Sequence, residues 1–156
     1  MAKKTFLSLA VSAAAVIILS TGPAFADRGD FGVGIILGEP TGVTIKHWTA
    51  RTTAIDVAAA WSLERDGAFH VHADYLIHNF RVFSPRKGSL PVYYGIGGRI
   101  LSQKKNRACV RIPVGMAYLF DRTPLEIFFE IGPVLDLIPA TDITIGAGLG
   151  VRYYFR

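Results

Sequence analysis

The stretch ITIGAGLGVRYYF, Ile143 to Phe155, separates into two chemistries when read at alternate positions. Ile143, Ile145, Ala147, Leu149, Val151, Tyr153 and Phe155 are apolar or aromatic, whereas Thr144, Gly146, Gly148, Gly150, Arg152 and Tyr154 are small, polar or charged. Successive side chains of a strand point to opposite faces, so the spacing predicts one long strand with an oily face and a small-polar face. At about 3.3 Å per residue it reaches about 43 Å, and tilted by about 45° it crosses a hydrocarbon layer of about 30 Å. Strands of water-soluble domains are commonly about half that length. Length, alternation and a terminal aromatic point to a transmembrane β-strand.

The opposite end of the chain carries an export signature. Lys3 and Lys4 precede an apolar run through Leu19, and Ala24-Phe25-Ala26 closes it. Basic region, apolar segment and small-x-small site predict a signal peptide over residues 1–26, cut after Ala26 with Ala24 three residues before the cut, and a single domain over 27–156. A membrane anchor would need a longer run and no cleavage site. The net charge of +5 is mild, and Lys3 and Lys4 of the leader are among its cations, so nucleic acid is not an expected partner. Cys109 is the only cysteine, which excludes an internal disulfide and leaves a structural thiol or an intermolecular bridge.

The rest of the chain repeats the closing pattern. Eight strands are predicted: Phe31–Leu37, Gly42–Trp48, Thr53–Leu63, Phe69–Arg81, Leu90–Leu101, Cys109–Phe120, Leu125–Leu137 and Ile143–Phe155, with Gly, Pro, Asp and Ser in the connections. Pro113 and Pro133 cannot donate to a ladder and predict a bulge or an early end to pairing. In the fourth strand Phe69, Val71, Ala73, Tyr75 and Ile77 alternate with His70, His72, Asp74, Leu76 and His78. A soluble lipocalin-like barrel that binds a ligand in the periplasm would show the same alternation with its faces reversed. Against it, the less oily face is mostly Gly and Ala, which suits the crowded lumen of an eight-stranded barrel. Aromatics also gather near strand ends, with Trp48, Phe80, Tyr118, Phe120, Tyr153 and Phe155 at one rim and Trp61 and Phe69 at the other.

A final strand of alternating apolar residues with Gly150, Tyr153 and Phe155 resembles the assembly signal of bacterial outer-membrane β-barrel proteins. Arg156 departs from that pattern, which ends on the aromatic. The whole of 27–156 is similar to small eight-stranded outer-membrane barrels of the OmpA/OmpX type. The resemblance implies an all-β, antiparallel up-and-down transmembrane barrel in the bacterial outer membrane. It implies no cofactor. Its partners would be the barrel-assembly machinery, outer-membrane lipid and lipopolysaccharide, and an extracellular or host ligand.

Three groups of residues could carry chemistry. His70, His72, Asp74 and His78 share a strand face, where they could hold a metal or be hydrogen-bonded interior groups; no metal site is assigned. Some barrels of this kind modify lipid A with a serine and a histidine, and folding the third and fourth strands about their turn sets Ser62 near His70, with Glu64 or Asp66 close by. No local motif of those enzymes is visible, so no catalytic residue is assigned. Lys104, Lys105 and Arg107 form a basic outward loop that could grip phosphates or remain solvated. The inward face itself carries Lys46, Arg99, Arg111 and Arg152 against Asp56, Asp74, Glu126, Glu130 and Asp136, which predicts an interior charge network that blocks conduction. Folding each hairpin about its turn sets Lys46 opposite Asp56, Arg152 opposite Phe128 and Arg99 opposite Arg111, with Asp74 drawn towards Arg99 and Asp136 towards Arg111. The expected role is structural or surface-interacting, without a reaction of its own.

Overall fold

The computed structural model describes residues 29–155 apart from 40, 62–68 and 103–105. The predicted signal peptide with Ala24 and Ala26, the turn bearing Ser62, Glu64 and Asp66, the loop lysines Lys104 and Lys105, and Arg156 lie outside the described residues.

Among the described residues nine strands follow one another: β1 (Phe31–Glu39), β2 (Thr41–Trp48), β3 (Thr53–Trp61), β4 (Phe69–Asn79), β5 (Val92–Ser102), β6 (Arg107–Arg111), β7 (Val114–Leu119), β8 (Leu125–Ile138) and β9 (Asp142–Phe155). Each pairs antiparallel with its neighbours, and β1 pairs with both β2 and β9, so the sheet closes on itself. β6 and β7 both lie between β5 and β8 and share one place in the ring. The protein is therefore an all-β, eight-stranded up-and-down barrel. Closure leaves no sheet edge, which is what lets a sheet stand in lipid.

The split between β6 and β7 corrects the expected single strand over Cys109–Phe120, and two prolines cause it. The Pro133 carbonyl accepts the Ile112 N–H at 3.1 Å, and the Pro113 carbonyl accepts the Gly95 N–H at 2.9 Å. In a strand the N–H and C=O of a residue point the same way, so each proline lacks its reciprocal donor at that pair. The ladder lapses for two residues, yet the register against β5 and against β8 is the same before and after the gap. Pro133 does not interrupt β8, whose pairing with β9 runs past it through Pro133↔Ile145.

The faces fall in the sense expected for a barrel in lipid. Ile143, Ile145, Leu149, Val151, Tyr153 and Phe155 of β9 all point outward, and Ile145 is 73 % exposed. Ile35, Leu37, Val43, Val71, Ile96, Ile100, Phe129 and Ile131 continue this apolar exterior around the ring. A lipocalin-like barrel would turn these inward. Inside, Ile36, Leu76, Tyr93, Ala117 and Phe128 form a small apolar core amid charged groups. Glycines make the room: a Cβ at Gly97 would collide with the Asp74 carboxylate, and one at Gly150 with the Phe128 ring.

The turn at 49–52, the connection 80–91 and the turn at 120–124 lie at the end where Phe31 pairs with Phe155. Two edge-to-face pairs stand there, Tyr118 with Phe120 at 4.8 Å and Tyr153 with Phe155 at 5.2 Å. Trp48 does not join them, contrary to its expected place in an aromatic girdle. It has the inward parity of Thr44 and Lys46, and its ring lies 4.4 Å from that of His78, across the mouth of the lumen.

Candidate functional site

The candidate site is the lumen itself, filled by ionic side chains in three tiers. The first is centred on Arg152, which β9 projects inward and which is 1 % exposed. Its Nη1 donates to Glu126 Oε1 at 2.6 Å, and Nη2 pairs with Asp56 Oδ2. Thr44 Oγ1 accepts from Nε at 3.2 Å and from Nη2 at 2.9 Å, and itself donates to Asp56 Oδ1 at 2.7 Å. Lys46 Nζ reaches both oxygens of Glu126, at 3.1 and 3.2 Å, and Tyr154 donates to Oε2 at 2.7 Å. The Arg152 guanidinium also lies over the Phe128 ring at 3.7 Å, and Lys46 Nζ over Trp48 at 4.5 Å. Two carboxylates thus face two cations, and hydrogen bonds from hydroxyls use the remaining lone pairs. Buried charges persist in low dielectric only when paired in this way.

The second tier is centred on Arg111. Its Nη2 pairs with Glu130, its Nε lies 3.2 Å from Asp74 Oδ2, and the Tyr93 hydroxyl donates to Glu130 Oε2 at 3.1 Å. His72 Nε2 lies 3.7 Å from the same Asp74 oxygen. In the third tier, Arg99 Nη2 lies 3.0 Å from His70 Nδ1, and Arg107 Nη1 donates to Asp136 Oδ2 at 3.1 Å. Beside these tiers a cavity of about 10 Å³, with Arg99, Arg111 and Glu130 on its wall, is room for little more than one water.

All nine charged residues expected on the inward face are buried there. Their pairings differ from the hairpin estimate. Lys46 does stand opposite Asp56 in register. Arg152 stands opposite Glu126 rather than Phe128, and Arg99 opposite Cys109 rather than Arg111. Asp74 lies against Arg111, and Asp136 accepts from Arg107. Arg107 is thereby corrected from a loop residue to the first residue of β6, half-buried in an ion pair. Cys109 is buried beside Leu101 and Val134.

Ala60, not Ser62, is the register partner of His70, whose Nδ1 meets the Arg99 guanidinium. His72, Asp74 and Glu130 bring ligand atoms within 4.8 Å of one another, a second-strand carboxylate that the sequence did not suggest. The Arg111 guanidinium already sits against both carboxylates, so the cation of this cluster is supplied by the chain. Thr44, Tyr93 and Tyr154 complete the tiers and were missed as partners. Their inward parity was readable; their contacts run across the lumen and are not.

No protein-family model matches the sequence, and no curated protein does. Among solved structures the fold is that of OmpA-type outer-membrane barrels. It is similar to the N-terminal β-barrel domain of OprF from Pseudomonas aeruginosa, with a TM-score of 0.57 and 14 % identity over 82 % of this chain and 99 % of that one.

Proposed function

We propose that this chain is an outer-membrane β-barrel with a structural or surface-interacting role, whose lumen is a charged plug and not a conduit. The observation that carries this reading is the inversion of the barrel: an apolar exterior around a largely buried ion-pair network. An apolar belt of this extent has lipid as its natural solvent. Eight strands leave an interior just wide enough for side chains, and here Arg152, Phe128, Tyr154, Lys46 and Glu126 fill it. Outer-membrane lipid and lipopolysaccharide then surround the belt. The barrel-assembly machinery would read Gly150, Tyr153 and Phe155, the last two of which lie on the exposed face of β9. An extracellular or host ligand would meet the opposite end, at the connections between β1 and β2, β3 and β4, β5 and β6, and β8 and β9.

The test has two parts. The outer-membrane fraction, run on detergent gels with and without boiling, should show a faster unboiled band, because folded barrels resist unfolding by detergent. Purified protein in planar bilayers should give no steady open channel. Identical mobility before and after boiling, with the protein in the water-soluble fraction, would overturn the membrane reading. Large persistent conductance would overturn the plug.

A further inference from the structure

We propose that the connection from Phe80 to Pro91 is a clamp for anionic phospholipid headgroups at the barrel end that carries Phe31 and Phe155. The inference rests on the membrane-barrel reading above. The other connections at this end span only 49–52 and 120–124. This one is far longer, and residues 81–87 are all exposed. Its sequence, FRVFSPRKGSLP, contains Arg81, Arg86 and Lys87 and no acidic residue. Between the cations stand Val82, 51 % exposed, and Phe83, 45 % exposed. Two exposed apolar side chains flanked by cations make an interfacial signature: the apolar groups enter the acyl boundary and the cations meet phosphates.

The loop is held in place for that task. At its start the Arg81 N–H donates to Asn79 Oδ1 at 2.9 Å. At its end Ser89 and Leu119 exchange backbone hydrogen bonds at 2.9 and 2.8 Å, and the Gly88 N–H donates to Asp121 Oδ2 at 2.6 Å. The Tyr118 hydroxyl donates to the Lys87 carbonyl at 3.0 Å. Gly88 turns the chain there with a φ of +72°, a backbone conformation in which an added Cβ would also press on Tyr118. Tyr118 belongs to the outward parity of β7 and stacks edge-on with Phe120. The basic segment is thus fastened to the aromatic pair at the rim, at the depth where lipid headgroups lie. A phosphodiester headgroup with net negative charge matches it in both sign and depth.

The probe is Phe83→Trp protein reconstituted in vesicles containing dibrominated phosphatidylglycerol or dibrominated phosphatidylcholine, with the parent protein supplying the quenching baseline of Trp48 and Trp61. Each cation near an anionic surface is worth about a fivefold gain in partitioning at moderate salt. We expect phosphatidylglycerol to be preferred at the F83W position by at least about fivefold, the preference shrinking as salt rises. Adding Arg81→Ser, Arg86→Ser and Lys87→Ser should bring the ratio to about one. Equal quenching by the two lipids, or a preference unchanged in the triple variant, would overturn the clamp. So would an F83W indole quenched by neither lipid in a heat-modifiable barrel, the result expected if the loop instead meets an acidic protein. Failure of the barrel reading itself would look different, as no heat-modifiable band in any variant.

Discussion

Removing the Arg152 guanidinium should cost the barrel about 3–5 kcal/mol. Arg152→Ala takes away the bond to Glu126, the pair with Asp56, two bonds donated to Thr44 and the contact with the Phe128 ring. Glu126 keeps Lys46 and Tyr154 and is still compensated. Asp56 keeps the Thr44 hydroxyl and, across the strand pair, the field of Lys46, but becomes a buried carboxylate with no cation bonded to it. The loss of one partner from a buried pair costs this much because the other charge stays behind without its solvation. Urea unfolding of protein refolded in detergent or lipid vesicles, followed by tryptophan fluorescence, measures it. Asn106→Ala, an exposed site, should stay within about 0.5 kcal/mol of the parent. Asp56→Asn combined with Arg152→Ala removes the stranded charge, so the cycle should return at least about 1 kcal/mol of coupling. An Arg152→Ala barrel within about 1 kcal/mol of the parent, or a double variant that is simply additive, would refute the reasoning.

Deleting Tyr153 to Arg156 should leave the protein in the periplasm for degradation, whereas deleting Arg156 alone should be tolerated; immunoblots of cell fractions check both, and normal outer-membrane levels after the larger deletion would contradict the assembly-signal role. Gly150→Ala should fold but lose about 1–3 kcal/mol in the same urea assay, because its methyl must displace the Phe128 ring packed under Arg152 and press on the Ile35 carbonyl of β1. Ser62→Ala and His70→Ala, made singly, should leave the lipid A acylation pattern unchanged by mass spectrometry, and an altered acyl profile would turn the protein into a lipid-modifying enzyme.

The barrel was legible in the sequence because period two is written twice, outward in Ile, Val, Leu and aromatics and inward in Gly, Ala and charge. Strand ends came within two or three residues for most strands, since Gly, Pro and Asp punctuate them for backbone reasons. The interruption at Pro113 was announced by the residue itself. What stayed hidden is geometry across the lumen. Lys46 and Glu126 are far apart in sequence and on strands that are not neighbours, yet their charged atoms lie 3.1 Å apart. Arg107 was misplaced for a related reason: a cation beside a lysine pair looks like loop until Asp136 is brought against it.

The two register errors have a common form, and it bears on why the lumen is ionic at all. Arg152 against Phe128 instead of Glu126, and Arg99 against Arg111 instead of Cys109, are both slips of two residues. A slip of one would turn every oily side chain inward and is excluded by burial alone. A slip of two keeps both faces intact, so the apolar exterior cannot tell it from the native pairing. The interior can. In the slipped barrel Arg99 and Arg111 would face each other, like charges directly opposed across a strand pair. In the native one, Arg152 reaches Glu126 and Asp56 while Arg111 reaches Glu130 and Asp74. An apolar plug of equal volume could hold the barrel about as firmly, because ion pairs must first repay their desolvation. It would have only steric fit, such as that of Phe128 against Gly150, to distinguish registers two residues apart. The like-charge opposition of Arg99 and Arg111 penalises the slipped pairing in addition to the fit of Phe128 against Gly150.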